Sequence, residues 1–448
     1  MAELGGNVRA AQLSWRGFAM PDSLPAEATV AMAVRWPRRY TVIILFALST
    51  VLCYIDRVNI SIAIIPLAHA KGYSEAERGL ILSSFFWGYL WPQLPGGWLA
   101  DRFGGKRVLG AGVALWSIAT FLTPIATTSF GLLLFMRGAL GAGEAVNFPA
   151  IHSIAARWTP ASERARAISL HLSGTALGTI IALLASPPII IAFGWEAVFY
   201  ISGLVGLLWL AMWWWKAADW PENSRGVSAA EMATIRVGRP ESGAADAIPW
   251  AKIFREPAVW AIVMAHLCNN FGFYILLLWL PSYLDHTFHV PLKDLGVMAV
   301  APYLAAFVVA NFSGWLADRL QRHGMRMTLV RKTLQTIGFS LGAITVCAMP
   351  WAHTATQAVL LATVSLGSTA LGLGGWGVNH LDVAPRYAGI LMGISNTFAT
   401  LPGIVGVAAT GFIVQATGSF SGVFYLAAGV YLVGLVAFNI WGSGERKL

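Results

Sequence analysis

Four ionisable side chains stand inside stretches that are otherwise apolar. Asp56 and Arg57 interrupt one such run, and Arg137 and Glu144 interrupt another. An Arg guanidinium offers a planar fork of donors matched to carboxylate or phosphate, and it stays charged at any physiological pH. Arg57 and Arg137 are therefore candidate anion-binding residues. A carboxylate takes up or releases a proton according to its burial and the charges beside it. Asp56 and Glu144 are accordingly candidates for ion coupling. The spacing of Arg137 and Glu144 places both on one helix face, about 10 Å apart along the axis. Each charge at the centre of a bilayer costs about 2.5–3.5 kcal/mol, so four without partners would cost about 10–14 kcal/mol. Such groups face a bundle interior or a wet cavity. The same four would also serve as internal salt bridges that only hold helices together, and Asp56 could pair with its neighbouring segment.

The elements that must position these charges follow from composition. The chain has 448 residues, 57% hydrophobic and 11% charged, with mean hydropathy +0.64 and net charge +9. A soluble chain carries about 25% charged residues. The three cysteines, Cys53, Cys268 and Cys347, lie inside apolar runs at spacings that make neither a disulfide framework nor a zinc site. A soluble enzyme, a secreted disulfide scaffold and a nucleic-acid binder are excluded. Twelve long, non-alternating apolar runs are present: 40–66, 79–99, 108–127, 129–156, 168–193, 196–215, 257–284, 294–317, 329–350, 355–380, 387–414 and 420–441. Barrel strands would be about 10 residues long and alternating. The expectation is an all-α, multi-pass membrane protein of twelve transmembrane helices.

Nothing in the first 39 residues resembles a signal peptide. With the N-terminus inside, 25 of the 30 Lys and Arg fall in cytoplasmic segments and only Lys71, Arg78 and Lys293 fall outside. That bias predicts cytoplasmic termini. The basic excess is thus an orientation signal and not a nucleic-acid patch. Residues 1–39 read as a cytoplasmic segment, 40–216 as a six-helix half, 217–256 as a cytoplasmic linker, 257–441 as a second half and 442–448 as a tail. The linker is polar and contains Pro221, Gly238, Pro240 and Gly243, and Ser228-Ala-Ala-Glu231 predicts the cap of a short helix. Gly97-Trp-Leu-Ala-Asp-Arg102 recurs as Gly314-Trp-Leu-Ala-Asp-Arg319, an offset of 217 residues at equivalent places in the two halves. Two pseudo-symmetric halves are the architecture in which a central site opens alternately to either side.

Gly97 through Arg107 resembles the loop signature of the major facilitator superfamily. Asp56 through Ile64, Ser83 through Tyr89, Arg137 through Pro149, Arg157 through Arg164 and Asn379 through Gly389 narrow the resemblance. They are similar to the anion:cation symporter group, which includes vesicular glutamate transporters, sialin, bacterial sugar-acid transporters and plant plastid phosphate/anion transporters. Gly393 through Asn396 and Leu401 through Gly406 most resemble the plastid type. The resemblance implies a secondary active transporter that moves a small anion with H+ or Na+ by alternating access, its first and fourth helices lining the cavity. In the sugar-acid transporters the positions matching Asp56, Arg57, Arg137 and Glu144 serve substrate binding and proton coupling. A His matching His152 occurs in sialin-like members, so His152 is a coupling candidate, or a His bonded to a backbone carbonyl.

Tyr54, Tyr89, Asn269, Asn270, Ser395 and Asn396 are candidate substrate contacts, and Asp101, Arg102, Asp318 and Arg319 are candidate gate residues that pair with neighbouring helix ends. His171 and His266 are weaker candidates, and His380, with Asp382 and Arg386, suits gating or packing. Gly174 with Gly178, and Gly389 with Gly393, are expected to let helices pack closely or flex, and Gly372, Gly374, Gly375 and Gly377 to loosen the tenth helix. Asn269 stands where glutamate-transporting relatives carry an Arg, and Asp56 where they have an apolar residue. Both lower the positive charge of the cavity and favour phosphate or a small organic anion. No nucleotide-phosphate loop, catalytic constellation or metal spacing is present, and no cofactor is expected beyond the coupling ion. The expected partners are a small anion and the lipid bilayer, with the chain acting as a monomer. The membrane is a bacterial inner membrane or an organelle or plastid envelope. An anion channel or exchanger on the same fold, or a membrane-embedded enzyme, is the alternative.

Overall fold

The computed structural model describes residues 36–224, 226–237 and 248–448, and those residues carry helices and no strand. The first half contains α1 (Arg38–Lys71), α2 (Glu75–Phe103), α3 (Gly105–Ala126), α4 (Phe130–Glu144), α5 (Asn147–Trp158), α6 (Ala161–Phe193) and α7 (Trp195–Lys216). The linker carries α8 (Ala229–Arg236) and α9 (Trp250–Arg255). The second half contains α10 (Pro257–Phe288), α11 (Leu292–Arg322), α12 (Met327–Ala348), α13 (Ala355–Ala370), α14 (Trp376–Val383), α15 (Ala388–Thr417) and α16 (Ser421–Trp441). α4 with α5, and α13 with α14, each make one crossing, which gives the twelve-helix architecture. Among the described residues, ten segments qualify as membrane spans by length and apolarity alone. The other two crossings are α2, diluted by Ser83, Ser84, Pro92, Gln93 and Pro95, and the divided α4–α5 span.

Capping fixes where several helices begin. Ser74 Oγ accepts from Glu77 N, and the Glu77 carboxylate accepts from Ser74 N at 2.8 Å, a reciprocal cap on α2. Ser228 caps α8 as expected, accepting from Glu231 N at 3.1 Å. The Glu231 carboxylate turns instead to α1, where it accepts from Arg39 N at 2.8 Å. The Arg39 side chain also bonds Glu163 of α6 at 2.9 Å, so the linker helix is pinned to the first half. Gly238, Pro240 and Gly243 lie outside the described residues.

The fourth apolar run, expected as one helix, is two. Ala145 and Val146 form a turn between α4 and α5. Pro149 explains it, because its ring has no N–H for the Ala145 carbonyl and crowds that carbonyl. The tenth run also divides, with a tight 3-10 stretch at Leu371–Gly374 between α13 and α14, where the glycine cluster lies.

The halves meet at the end remote from the Asp101 and Asp318 turns. Arg78 of α2 donates to Ser282 Oγ of α10 at 2.9 Å, and Ala76 N donates to Gln415 Oε1 of α15 at 3.0 Å. Among the described residues these are the hydrogen bonds that join the halves. The backbones of α2 and α15 touch there through Gly79 and Gly411, and a Cβ on Gly411 would collide with the Glu75 carbonyl. At the basic end no such contact forms among the described residues. Gly389 and Gly393, expected to let helices pack closely or flex, have open space around them. Gly174 and Gly178 do pack closely, against the backbone of α1 at Ala47 and Val51.

Candidate functional site

α1 and α4 bring the four charges together, as the resemblance implied. Asp56, Arg57, Arg137 and Glu144 are 1%, 2%, 1% and 0% exposed. Arg57 donates to Glu144 Oε2 from Nη2 at 2.8 Å and from Nε at 3.1 Å. Cys53, one turn before Arg57, donates its thiol to the same oxygen at 3.1 Å. Three donors therefore converge on Oε2, and Glu144 Oε1 has no partner. The Arg57 guanidinium carbon lies 4.7 Å from the Tyr54 ring and 4.8 Å from each of Phe85 and Tyr89. An aromatic cage of this kind holds a cation by its ring faces and keeps it desolvated.

Arg137 differs in kind. Its guanidinium carbon is 5.8 Å from Phe85, and its Nε and Nη1 have no hydrogen-bond partner. Asp56 Oδ1 also lacks one, although Asp56 lies in the fields of Arg137 and Glu144. A buried donor without a partner is costly, about 1–3 kcal/mol and more for a charged group. The set is one closed bridge, Arg57–Glu144, beside one open fork, Arg137.

Residues 46–407 match the family model described as Major Facilitator Superfamily. The chain belongs to that superfamily. It is a membrane transporter and not an enzyme. This facilitator is 44% identical over 438 residues to a protein of Oryza sativa subsp. japonica named probable anion transporter 4, chloroplastic, covering 96% of this chain and 74% of that one. It is 42% identical over 432 residues to the Arabidopsis thaliana ascorbate transporter, chloroplastic, covering 95% of this chain and 80% of that one. A third relative, the A. thaliana sodium-dependent phosphate transport protein 1, chloroplastic, is 42% identical over 424 residues, covering 94% and 82%. Among solved structures, a D-xylose-proton symporter superposes with TM-score 0.73 at 14% identity, covering 91% of this chain and 99% of that one. An inward-facing bacterial homologue of the lysosomal transporter Spinster gives 0.70 at 18%, covering 91% and 96%. Both structural likenesses speak to fold.

The remaining expected residues of this facilitator divide by position. Tyr54 and Tyr89 join the charge cluster through Arg57. Tyr274 of α10 reaches it from the second half, its ring 4.5 Å from Phe86 and its hydroxyl within the field of Arg57. Cys53, Phe85 and Tyr274 were not singled out in the sequence. Cys53 had a signal in its position one helical turn before Arg57. Asn269 is half-buried, while its neighbour Asn270 donates to the Ala399 carbonyl of α15 at 3.1 Å. Ser395 sits away from the charges, its hydroxyl 3.2 Å from His266 Nδ1 and 3.0 Å from His380 Nε2. Asn396 is half-buried and its carbonyl accepts from Thr400. His152 is exposed and donates from Nδ1 to the Phe148 carbonyl at 2.9 Å.

The basic-end residues make contacts within their own halves. Asp101 accepts from Ser153 Oγ at 2.9 Å and lies 3.8 Å from Arg157, tying α2 to α5. Arg102 packs over Trp98 at 5.1 Å and Arg319 over Trp315 at 5.5 Å. The Asp318 backbone carbonyl accepts from Arg322. Asp382 bonds Arg331 at 2.7 Å and anchors α14 to α12. An exposed pair of the Asp101 kind contributes at most about 1 kcal/mol. Asp101→Asn is therefore expected to slow maximal transport by up to about fivefold and to leave half-saturation nearly unchanged. An unchanged maximal rate would count against a gating role.

Proposed function

We propose that this facilitator carries a small anion, inorganic phosphate or an organic carboxylate, coupled to H+ or Na+ by alternating access. The observation that supports this is the buried, partnerless edge of the Arg137 guanidinium beside the closed Arg57–Glu144 bridge. An anion seated on Arg137 competes with Glu144 for the Arg57 fork. Neutralising Glu144 removes that competition, and by linkage the anion and the coupling ion favour each other's binding. Asp56, lacking a partner at Oδ1, is the second acceptor in reach. The hydrogen bonds between the halves lie at the far end, and the four charged groups of the site are enclosed, 0–2% exposed. Uncharged polar groups from the second half, Asn269, Asn270 and Tyr274, would contact the body of the cargo.

The relatives named for phosphate and for ascorbate support an anionic cargo of either kind, and their chloroplastic names support a plastid envelope. The lysine and arginine bias supports cytoplasmic-side termini, on the stromal side if the membrane is a plastid's. The whole site lies in one chain, which supports a monomer as the working unit.

Glu144→Gln is expected to keep anion exchange in reconstituted vesicles and to lose accumulation driven by an imposed gradient. Imposing pH and Na+ gradients separately identifies the coupling ion. Accumulation that still follows the gradient in this variant would remove Glu144 from the coupling role. Counterflow with phosphate, glutamate, a sugar acid and ascorbate in competition identifies the cargo.

A further inference from the structure

The break between α4 and α5 lies between Glu144 and a buried chain of hydrogen bonds that anion binding does not use. Asn147 is the first residue of α5. Its Oδ1 lies 3.0 Å from Ser49 Oγ, which shares its one proton with the Phe46 carbonyl at 2.7 Å, and its Nδ2 donates to Thr50 Oγ1 at 3.2 Å. Thr50 Oγ1 is in turn 2.6 Å from His171 Nδ1 on α6. Ser49, Thr50, Asn147 and His171 are all fully buried. Side chains alone thus tie α1, α5 and α6 at one point. The rings of Phe148 at 4.8 Å and Phe46 at 6.4 Å hold the His171 imidazole edge-on. The titratable group against it is His152, its ring at 6.0 Å.

Both flanks of the break are therefore pinned to α1. Glu144 is held by Arg57 on one side, and Asn147 is held by Ser49 and Thr50 on the other. Ala145 and Val146 form the turn between the pins, helical in backbone angle but outside both helices. α5 is a helix of 12 residues whose second half carries Ser153 and Arg157, the partners of Asp101. The far end of the helix is tied as well, through Trp158 Nε1 to the Ala218 carbonyl at 2.9 Å, so a change at the first pin is passed along the helix to its other contacts. The site and the basic-end contacts are thereby mechanically joined through one short helix.

We propose that Asn147 and His171 are positioning residues of the transport cycle. The Ser49–Asn147–Thr50–His171 clamp is the pivot about which loss of the Arg57–Glu144 bridge turns α5 and moves its Asp101 contacts. This rests on the reading of Glu144 as the coupling carboxylate.

The test compares wild type, Glu144→Gln, Thr50→Val and the double variant, as purified full chain in proteoliposomes. Exchange, gradient-driven accumulation and amide deuterium uptake across 147–158 are measured for each. Thr50→Val keeps the side-chain shape and removes the hydroxyl that links Asn147 to His171. Glu144→Gln is expected to change deuterium uptake in 147–158, and Thr50→Val to abolish that response. Thr50→Val should also reduce accumulation at least tenfold while exchange stays within about threefold. Thr50→Ser restores the hydroxyl and is expected to restore both. If Thr50→Val is not recovered folded, Asn147→Ser gives the same comparison. A Glu144→Gln response that persists without the clamp overturns the pivot, as does a Thr50→Ser variant as defective as Thr50→Val. Glu144→Gln that keeps accumulation overturns the coupling reading, and the pivot with it.

Discussion

Arg137→Ala is expected to abolish anion uptake while the protein remains folded and inserted. Truncating one partner of a buried charge pair costs about 2–5 kcal/mol, roughly a 30- to 4,000-fold loss in affinity. Stability should fall less than for a bridged residue, because Arg137 makes no hydrogen bond from Nε or Nη1 and acts on Asp56 and Glu144 only through its field. Arg57 provides the contrast. Arg57→Ala would strand the buried Glu144 carboxylate, at a cost of about 3–5 kcal/mol in stability. Uptake by reconstituted protein, read beside thermal unfolding of the same preparation, separates the two cases. Uptake that survives Arg137→Ala would place the anion elsewhere.

Gly411→Leu is expected to hold the far end apart and stop transport almost completely. α2 and α15 approach there at the level of their backbones, with the Glu75 carbonyl and the Gly79 Cα against Gly411. No flexible side chain is available to yield. Overpacking of this kind costs about 1–3 kcal/mol, enough to move a two-state equilibrium roughly 5- to 150-fold. The state that lacks the contact pays nothing and takes over. A cysteine placed at Ala76 reports on the seal, because Ala76 N is bonded to Gln415 across it. In the Gly411→Leu background, with Cys347→Ser, that cysteine should react with an impermeant maleimide. In the parent it should be protected. Equal labelling in both would mean that the glycine contact does not control the seal.

The fold was legible because the runs of apolar residues and the duplicated Gly-Trp-Leu-Ala-Asp-Arg turn state it directly. The charge cluster was legible for the same reason, since Asp56, Arg57, Arg137 and Glu144 stand out against apolar neighbours. What escaped was whatever depends on packing. Pro149 breaks a helix, whereas Pro66, Pro92 and Pro95 sit inside helices that continue. Whether a lost hydrogen bond becomes a break or a bend depends on neighbouring helices, which one sequence does not display. The polar run at Ser395 and Asn396 suits either a neighbouring helix or the cavity, and only packing shows that Ser395 lies between His266 and His380. Arg57 and Arg137 looked equivalent by type. Only the geometry separates the bonded guanidinium from the open one.

The convergence of three donors on a single oxygen of Glu144 has a consequence for the order of events. Oε1 is bare, so a proton can settle there without first displacing any donor. On the proposed reading of Glu144 as the coupling carboxylate, the proton's arrival would cancel the carboxylate charge while the Arg57 contacts still stand. The electrostatic change would then precede the mechanical one, and the bridge would loosen only afterwards. Coupling built this way would have a definite sequence: the small ion signals before any helix needs to move.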